Sequence, residues 1–205
     1  MSDPKLKDFA KVPLFHHEAL NGTGYPNQLE YENIPIEGQI IRVADEFDAI
    51  TSKRQYKTHI GICDTLNILI DETKFDKKNN EKFGKINPKI VKALIKVVKD
   101  DTEYEIYNLN QYLDYLLKES LRLEQMKSFE EKMNSATKSK DKDYYLAIIN
   151  SLLSHGETLE NFKQILEEYN QAYNLRKEQL QNLKIEFKKI KKYDRIPPFQ
   201  AARRI

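Results

Sequence analysis

Apolar residues recur at alternating spacings of three and four between Leu159 and Ile190, and this pattern limits the possible folds more than any other feature of the sequence. A heptad pattern of this length predicts a long α-helix with one apolar side, which other residues must cover. A helical hairpin or three-helix bundle would cover it within the chain, and a coiled-coil dimer would cover it between chains. Bulky Tyr and Phe at core positions favour the bundle. This heptad seam, broken only at Arg176, consists of Leu159, Phe162, Leu166, Tyr169, Tyr173, Arg176, Leu180, Leu183, Phe187 and Ile190.

Two segments before the heptad seam carry apolar residues at helical spacing and are predicted to pack against it. One helix is expected from about residue 103 to residue 133, and a shorter one over residues 144–153. We therefore predict an all-α chain in which residues 103–205 form a helical extension of residues 1–102. The apolar face of the longer helix is predicted to contain Ile106, Leu109, Leu113, Leu116, Leu117, Leu121 and Met126.

Residues 1–102 combine shorter helices with Gly and Pro in turns. Asp3-Pro4 predicts the start of a short helix, because aspartate caps a helix and proline suits its first position. Residues 21–35 hold Asn-Gly, Gly-Tyr-Pro and Ile-Pro, which predict a loop. Asn87 is predicted to cap the last helix of this part. The remaining predicted elements are helices at 36–52, 63–71 and 88–98 and a polar loop at 76–85.

Composition gives weak constraints on function. The 34 basic and 32 acidic side chains leave a net charge of +2, which does not favour a nucleic-acid or membrane partner. No run of about 18 apolar residues predicts a membrane-spanning segment, and no leader is recognised. Cys63 is the one cysteine, so no disulfide forms within the chain, and we expect it to be a small buried residue of a cytoplasmic protein.

A candidate metal site begins with the adjacent pair His16-His17 and continues with Asp45. Imidazole nitrogens and a carboxylate suit borderline transition metals such as Fe, Mn or Zn. Neighbouring helical positions point about 100° apart, so the two histidines would serve two metals or approach one from different sides. Asp45 lies beside Val43 and Phe47 on the predicted apolar face, which also includes Ile40 and Ala44. An unpaired charge would be costly to bury there, so a metal or cationic partner is expected for Asp45.

The sequence from His16 to Pro26 resembles the signature of the HD-GYP family, a group of bacterial phosphodiesterases that hydrolyse cyclic di-GMP. The resemblance covers roughly residues 4–100. Three positions depart mildly from the family pattern: Asn21, Gln55 and Lys57. The matching residues of the signature are His16, His17, Glu18, Gly22, Gly24, Tyr25 and Pro26, and further matches follow at Ala44, Asp45, Asp48, Ala49, Arg54 and Tyr56.

The resemblance implies a role for several of these residues. His16, His17 and Asp45 would be ligands of a divalent transition metal, with Fe or Mn favoured and Zn possible. Arg54, with Lys57 one turn later, would hold a phosphate of cyclic di-GMP while water activated by the metal attacks phosphorus. No side chain is assigned as a catalytic acid or base.

Alternative interpretations stay open for the residues around these ligands. Glu18 would either accept a hydrogen bond from a ligand imidazole or cap a helix end. Asp48 would either orient a ligand or lie on the helix surface, and Arg54 and Lys57 could be a solvated basic face. Gly22 and Gly24 are expected to give the loop backbone freedom, and Tyr25-Pro26 to stiffen it. Tyr25 could also contact a protein partner.

One motif of the family is absent from this sequence. HD-GYP proteins take their name from a His-Asp pair, and no His-Asp dipeptide occurs among the 205 residues. We therefore expect the chain to be the C-terminal part of a longer protein, or of a protein that has lost its N-terminal half, and to be inactive alone. The alternative is a non-catalytic interaction module in cyclic di-GMP signalling, which would bind a protein through the loop or the helical extension.

Overall fold

The computed structural model describes residues 12–52, 61–75 and 83–195, and within them the chain is helical. No β-strand is present in these ranges, and an isolated antiparallel bridge pairs Asn21 with Glu30. The predicted all-α class is confirmed. The α-helices are α1 (Ile36–Thr51), α2 (Ile62–Glu72), α3 (Pro88–Ser135), α4 (Ser139–Leu152) and α5 (Phe162–Ile190), and the 3-10 helices are Val12–Phe15, Tyr31–Asn33 and Lys191–Arg195. The short helix predicted at Asp3-Pro4 lies outside the described residues.

The chain divides into two compact units. The first comprises Met1–Asp101 together with Glu186–Ile205, and the second comprises Thr102–Ile185. Four helices contribute to the core of the first unit, because the end of α5 joins α1, α2 and the start of α3. Its buried members are Val43, Leu66, Leu69, Ile86, Val91, Ile95, Val98 and Ile190. Whether either unit folds alone stays a prediction.

A chain of buried hydrogen bonds fixes the start of α3 against α1 in the first unit. Asn87 caps α3 as predicted, since its Oδ1 accepts a hydrogen bond from the Lys89 backbone N–H at 2.9 Å. Its Nδ2 donates to Gln39 Oε1 at 2.8 Å, and Gln39 Nε2 donates to the carbonyl of Ile34 at 2.8 Å. The cap of one helix is therefore also a contact with the helix that carries Asp45.

In the second unit, α4, α5 and the later part of α3 pack around a core of their own, and the predicted intramolecular helical bundle is confirmed. The core members of the heptad seam are Phe162 and Leu166 of α5. They pack with Leu123 and Met126 of α3 and with Ile149 of α4. Because α3, α4 and α5 all contribute, the apolar side of α5 is covered within the chain along this stretch.

Two predictions about α3 are wrong. Separate helices were predicted on either side of residue 100, but α3 is continuous from Pro88 to Ser135, because no Pro or Gly interrupts it. The predicted apolar face is also partly wrong, since Leu117 and Leu121 are 44% and 56% exposed while Leu123 is fully buried. The buried residues of this long helix therefore do not all lie on the single apolar face that the sequence predicted.

None of the helices in the described ranges is both long enough and apolar enough to cross a membrane.

Candidate metal site and the loop that follows it

His16 and His17 directly follow the 3-10 helix Val12–Phe15, in a turn closed by the Glu18 N–H, which donates to the carbonyl of Phe15 at 3.0 Å. Their ring centroids are 3.8 Å apart and the ring planes are inclined by 40°. His16 is half-buried and His17 is exposed. The turn therefore holds the two imidazoles close together with their planes inclined to each other.

Two contacts hold α1 against this histidine turn. At Gly38 a Cβ atom would lie 2.7 Å from Cβ of Phe15, so only glycine permits the approach of α1 to the residue before His16. One turn later, Arg42 Nη1 donates to the backbone carbonyl of Glu18 at 3.1 Å. These contacts fix residues on both sides of the histidine pair to the helix that carries Asp45.

The burial argument for Asp45 is wrong. Asp45 is exposed, and so are Ala44 and Ile40, the latter by 49%. The side of α1 that faces the core contains Gly38, Gln39 and Val43, because close approach to Phe15 and the bond to Asn87 turn that side inward. An exposed carboxylate needs no partner to offset its burial, so a metal role for Asp45 rests on the motif alone.

Asp48 is also exposed, and its Oδ1 accepts a hydrogen bond from the Ser52 hydroxyl at 2.9 Å. Its backbone carbonyl accepts the N–H of the same residue at 2.8 Å, which ends α1. These local bonds favour the helix-surface interpretation of Asp48.

Glu18 organises the residues that follow the histidines. Its side chain is only 1% exposed, and Oε1 and Oε2 accept the backbone N–H groups of Asn27 and Leu29 at 2.7 and 2.9 Å. Hydrogen bonds to a buried carboxylate are among the stronger ones in proteins. Both oxygens of Glu18 thus accept hydrogen bonds from the backbone of residues 22–29, here called the GYP loop. Glu18 therefore caps this loop, whereas one of the two predictions for it was that it caps a helix end.

Glycines allow the GYP loop to fold back onto the histidine turn. At Gly24 a Cβ atom would lie 2.2 Å from the backbone nitrogen of Ala19 and 2.4 Å from Cα of Glu18, distances that no side chain tolerates. Gly22 has a φ of 77°, in the region that favours glycine. The loop predicted from these residues is therefore present, and Gly24 is needed for close approach of two backbone segments.

Tyr25 contacts His17 through both its ring and its backbone. The ring centroids are 4.6 Å apart with planes inclined by 23°, and the Tyr25 N–H donates to the carbonyl of His17 at 3.2 Å. The Tyr25-Pro26 peptide bond is cis. The tyrosine side chain is 59% exposed, so it covers the imidazole on one side and faces solvent on the other.

A pair of carboxyl groups near the site was missed by the sequence analysis. Burial raises the pKa of Glu46 on α1 to about 7, and a hydrogen bond and charge repulsion from Glu72 at the end of α2 act in the same direction. Lys85 Nζ lies 3.1 Å from Oε1 of Glu72, and Arg42 Nη2 lies 3.9 Å from Glu46. Since the two carboxyl groups come from different helices, no local sequence pattern predicts that they lie close together.

Other predicted site residues cannot be placed. Arg54 and Lys57 lie outside the described residues. Among the residues that are described, no three His, Cys, Asp or Glu side chains form a group that could hold a metal ion. The donor types of His16, His17 and Asp45 still suit a borderline transition metal, because imidazole and carboxylate are its usual nitrogen and oxygen ligands.

Comparison with known proteins finds a matching family and relatives that are named as cyclic dinucleotide phosphodiesterases. Residues 1–78 match the family described as HD domain. A cyclic di-GMP phosphodiesterase of Thermotoga maritima is 34% identical over 102 residues, half of this chain and 25% of that protein. A 3'3'-cGAMP-specific phosphodiesterase 2 of Vibrio cholerae is 47% identical over 57 residues, 27% of this chain and 11% of that protein. The cyclic di-GMP phosphodiesterase response regulator RpfG of Xanthomonas campestris is 52% identical over 48 residues, 23% of this chain and 13% of that protein.

The resemblance inferred from the motif is confirmed by these matches. The chain spans a quarter or less of the length of each of these three relatives. No solved structure matches the chain.

Proposed function

We propose that this chain contributes metal ligands to an enzyme that hydrolyses cyclic di-GMP, since residues 1–78 match the HD domain family and residues 16–26 carry the signature from His-His-Glu to Gly-Tyr-Pro. The proposed ligands are His16, His17 and Asp45. The observation that carries this proposal is the histidine turn: two imidazoles with centroids 3.8 Å apart, joined to α1 by the bond from Arg42 to the Glu18 carbonyl.

The proposed ligands come from two segments with different roles. His16 and His17 supply nitrogen donors from one turn, and Asp45 supplies an oxygen donor from an exposed position on α1. An exposed carboxylate can turn toward an incoming cation without breaking a core contact. A divalent metal held there, Fe or Mn by preference and Zn as an alternative, would activate water and neutralise charge on a phosphoryl group.

Arg54 and Lys57 are proposed to bind substrate phosphate. The two residues follow α1 by a few positions, and a guanidinium group binds two phosphate oxygens at once. This role rests on the match of Arg54 to the family pattern. The proposed substrate is cyclic di-GMP, and 3'3'-cGAMP is the alternative because relatives from Vibrio cholerae are named for it.

We also propose that this chain alone holds metal weakly and does not hydrolyse the substrate. Three ligands are too few for a tight centre with two metals, and no His-Asp dipeptide in these 205 residues adds a further pair. The remaining ligands would come from a polypeptide segment that carries that pair.

Metal analysis tests the proposed ligands directly. The purified chain is loaded with Mn²⁺ or Fe²⁺, dialysed and analysed for metal, together with His17→Ala and Asp45→Ala variants and with His155→Ala as a control in an exposed loop of the other unit. We expect retained metal below one ion per chain, lower in the two ligand variants and unchanged in the control. Two tightly held ions per chain would contradict the partial site, and equal metal in all variants would contradict the ligand assignment.

A second candidate is the non-catalytic interaction module. It is favoured by the many exposed tyrosines of the second unit, since tyrosine is enriched at protein interfaces. Hydrolysis of either cyclic dinucleotide that is lost in Asp45→Ala would decide against this candidate. The exposed tyrosines are Tyr104, Tyr107, Tyr112, Tyr115 and Tyr144.

A further inference from the structure

We propose that Tyr25 is a positioning residue for His17, and that the GYP loop holds Tyr25 in place so that its ring restricts rotation of this imidazole. The inference rests on the proposed function in one respect, namely that His17 binds metal. The geometric part, that Tyr25 fixes the orientation of the His17 ring, is independent of that role.

Tyr25 makes two contacts with one residue. Its ring stacks on the imidazole of His17 with centroids 4.6 Å apart, and its N–H donates to the His17 carbonyl at 3.2 Å. The backbone bond sets the distance between the two residues, and the stacked rings then restrict rotation of the imidazole. Among the described residues, the His17 ring contacts the rings of His16 and Tyr25 and forms no hydrogen bond there. Within the described part of the chain, stacking therefore restrains an imidazole that is otherwise exposed.

The loop that carries Tyr25 is itself fixed to the histidine turn. The buried carboxylate of Glu18 accepts two backbone N–H groups of the loop, from Asn27 and Leu29. On the other side of Tyr25, Gly24 lies so close to the backbone of Glu18 and Ala19 that a Cβ atom would overlap both. Displacing Tyr25 would thus break bonds to a buried carboxylate, which is costly.

The exposure of Tyr25 shows that core packing does not explain its position. With 59% of its surface in solvent, the side chain is not a member of the core, and its ring stacks on His17. A ligand imidazole that is held in one orientation before the metal arrives binds it more tightly, because less rotational freedom is lost. Tyr25 would supply this restraint through an aromatic face, where many metal sites use a hydrogen bond to the second imidazole nitrogen.

Histidine NMR spectra of the full chain test the geometric part without metal. In Tyr25→Leu, which removes the ring but keeps an apolar side chain, we expect the His17 protons to lose the part of their ring-current shift that Tyr25 causes, and the His17 side chain to sample several rotamers. Tyr25→Phe keeps the ring and should retain the wild-type shift. Thr23→Ala is the matched control, because Thr23 lies exposed in the same loop and its hydroxyl donates to Asn21 Oδ1 at 2.7 Å. An unchanged His17 spectrum in Tyr25→Leu would overturn the proposal.

Titration with Zn²⁺ alone tests the consequence for metal binding. We expect Tyr25→Leu to bind about threefold to tenfold more weakly than wild type, the range for one aromatic pair, with Tyr25→Phe and Thr23→Ala close to wild type. Equal affinity in wild type and Tyr25→Leu, or equal weakening in Thr23→Ala, would overturn the positioning role. If Zn²⁺ leaves the His16 and His17 signals of wild type unchanged, the proposed metal ligands fail, while the orientation of His17 is still decided by the metal-free spectra.

Discussion

Arg122 and Glu157 form a two-bond ion pair that joins α3 to the segment between α4 and α5. Nη1 of Arg122 donates to Oε2 of Glu157 at 2.7 Å, and Nη2 donates to Oε1 at 2.5 Å. The same guanidinium donates to the carbonyl of Leu152 at 2.6 Å and to Glu119 at 2.8 Å. Because the Glu157 side chain is only 6% exposed, its charge depends on this partner.

Arg122→Met is expected to lower the free energy of unfolding by about 3 kcal/mol, because it leaves the buried carboxylate of Glu157 without its cation. Urea denaturation followed by circular dichroism measures the change. The control is Arg176→Met, since Arg176 donates to the exposed Gln179 and its replacement should cost less than about 0.5 kcal/mol. Similar losses in both variants would show that the Arg122–Glu157 ion pair stabilises the fold no more than the hydrogen bond of Arg176 does.

Stability should fall in acid through Glu157. The hydrogen bond from Arg122 lowers the pKa of Glu157 below its ordinary value of 4.5, and the Ser154 N–H helps at 2.8 Å. A carboxyl group whose folded pKa is lowered stabilises the fold above its unfolded pKa, and this stability is lost as pH falls through the folded value. The free energy of unfolding should therefore decrease more steeply below about pH 4.5 in wild type than in Glu157→Gln. Parallel curves for the two proteins would refute this assignment.

Local patterns predicted part of the fold, and contacts distant in sequence explain the rest. The turn residues of the GYP loop and the cap at Asn87 were predicted because each acts on its immediate neighbours. The pairing of Arg122 with Glu157, 35 residues apart, has no local signal. The contact between Glu46 and Glu72 has no local signal either, because these side chains meet only after α1 and α2 pack.

The errors on α1 and α3 have a related physical cause. On α1, spacing of apolar residues suggested that Ile40 and Ala44 faced the core, but close packing at Gly38 and the buried bond of Gln39 turned the helix to another face. On α3, one helix contributes to two different cores, so its buried side changes along its length. A hydrophobic pattern indicates that one side of a helix is buried. It does not identify the segment that packs there, and that segment decides which residues are covered.

Gly24→Ala should destabilise the histidine turn more than an ordinary glycine substitution. A methyl group 2.2 Å from the Ala19 nitrogen forces the GYP loop away, at a cost of about 1–3 kcal/mol, and the His17 signals should shift with it. Gly156→Ala is the matched control. Gly156 differs from Gly24 in having a positive φ of 83° and no atom within 4 Å of its missing Cβ, so only backbone strain of about 1 kcal/mol is expected. A normal His17 spectrum in Gly24→Ala would show that the loop tolerates the methyl group.

Replacing Asp45 should remove both metal and activity, whereas replacing Arg54 should reduce activity without removing metal. In any preparation that hydrolyses cyclic di-GMP, Asp45→Ala should lose metal and turnover together. Arg54→Ala should keep its metal and lose about 2–4 kcal/mol of transition-state stabilisation, the range for one oriented donor. Metal content and kcat/KM measured on the same samples separate the two roles. Equal loss of metal in both variants would reject this division.

A fragment of residues 102–185 should fold alone. Its core is internal, with Leu123 and Met126 of α3, Ile149 of α4 and two residues of the heptad seam packed together. We expect a strongly helical circular dichroism spectrum, a cooperative melt and a monomer in solution. Phe162→Ala, at a fully buried position, should lower stability by about 3–5 kcal/mol. Leu175→Ala, at an exposed position of the same helix, should leave it nearly unchanged. Helicity that grows with protein concentration would favour a dimer, and a random-coil spectrum at every concentration would show that this unit depends on the rest of the chain.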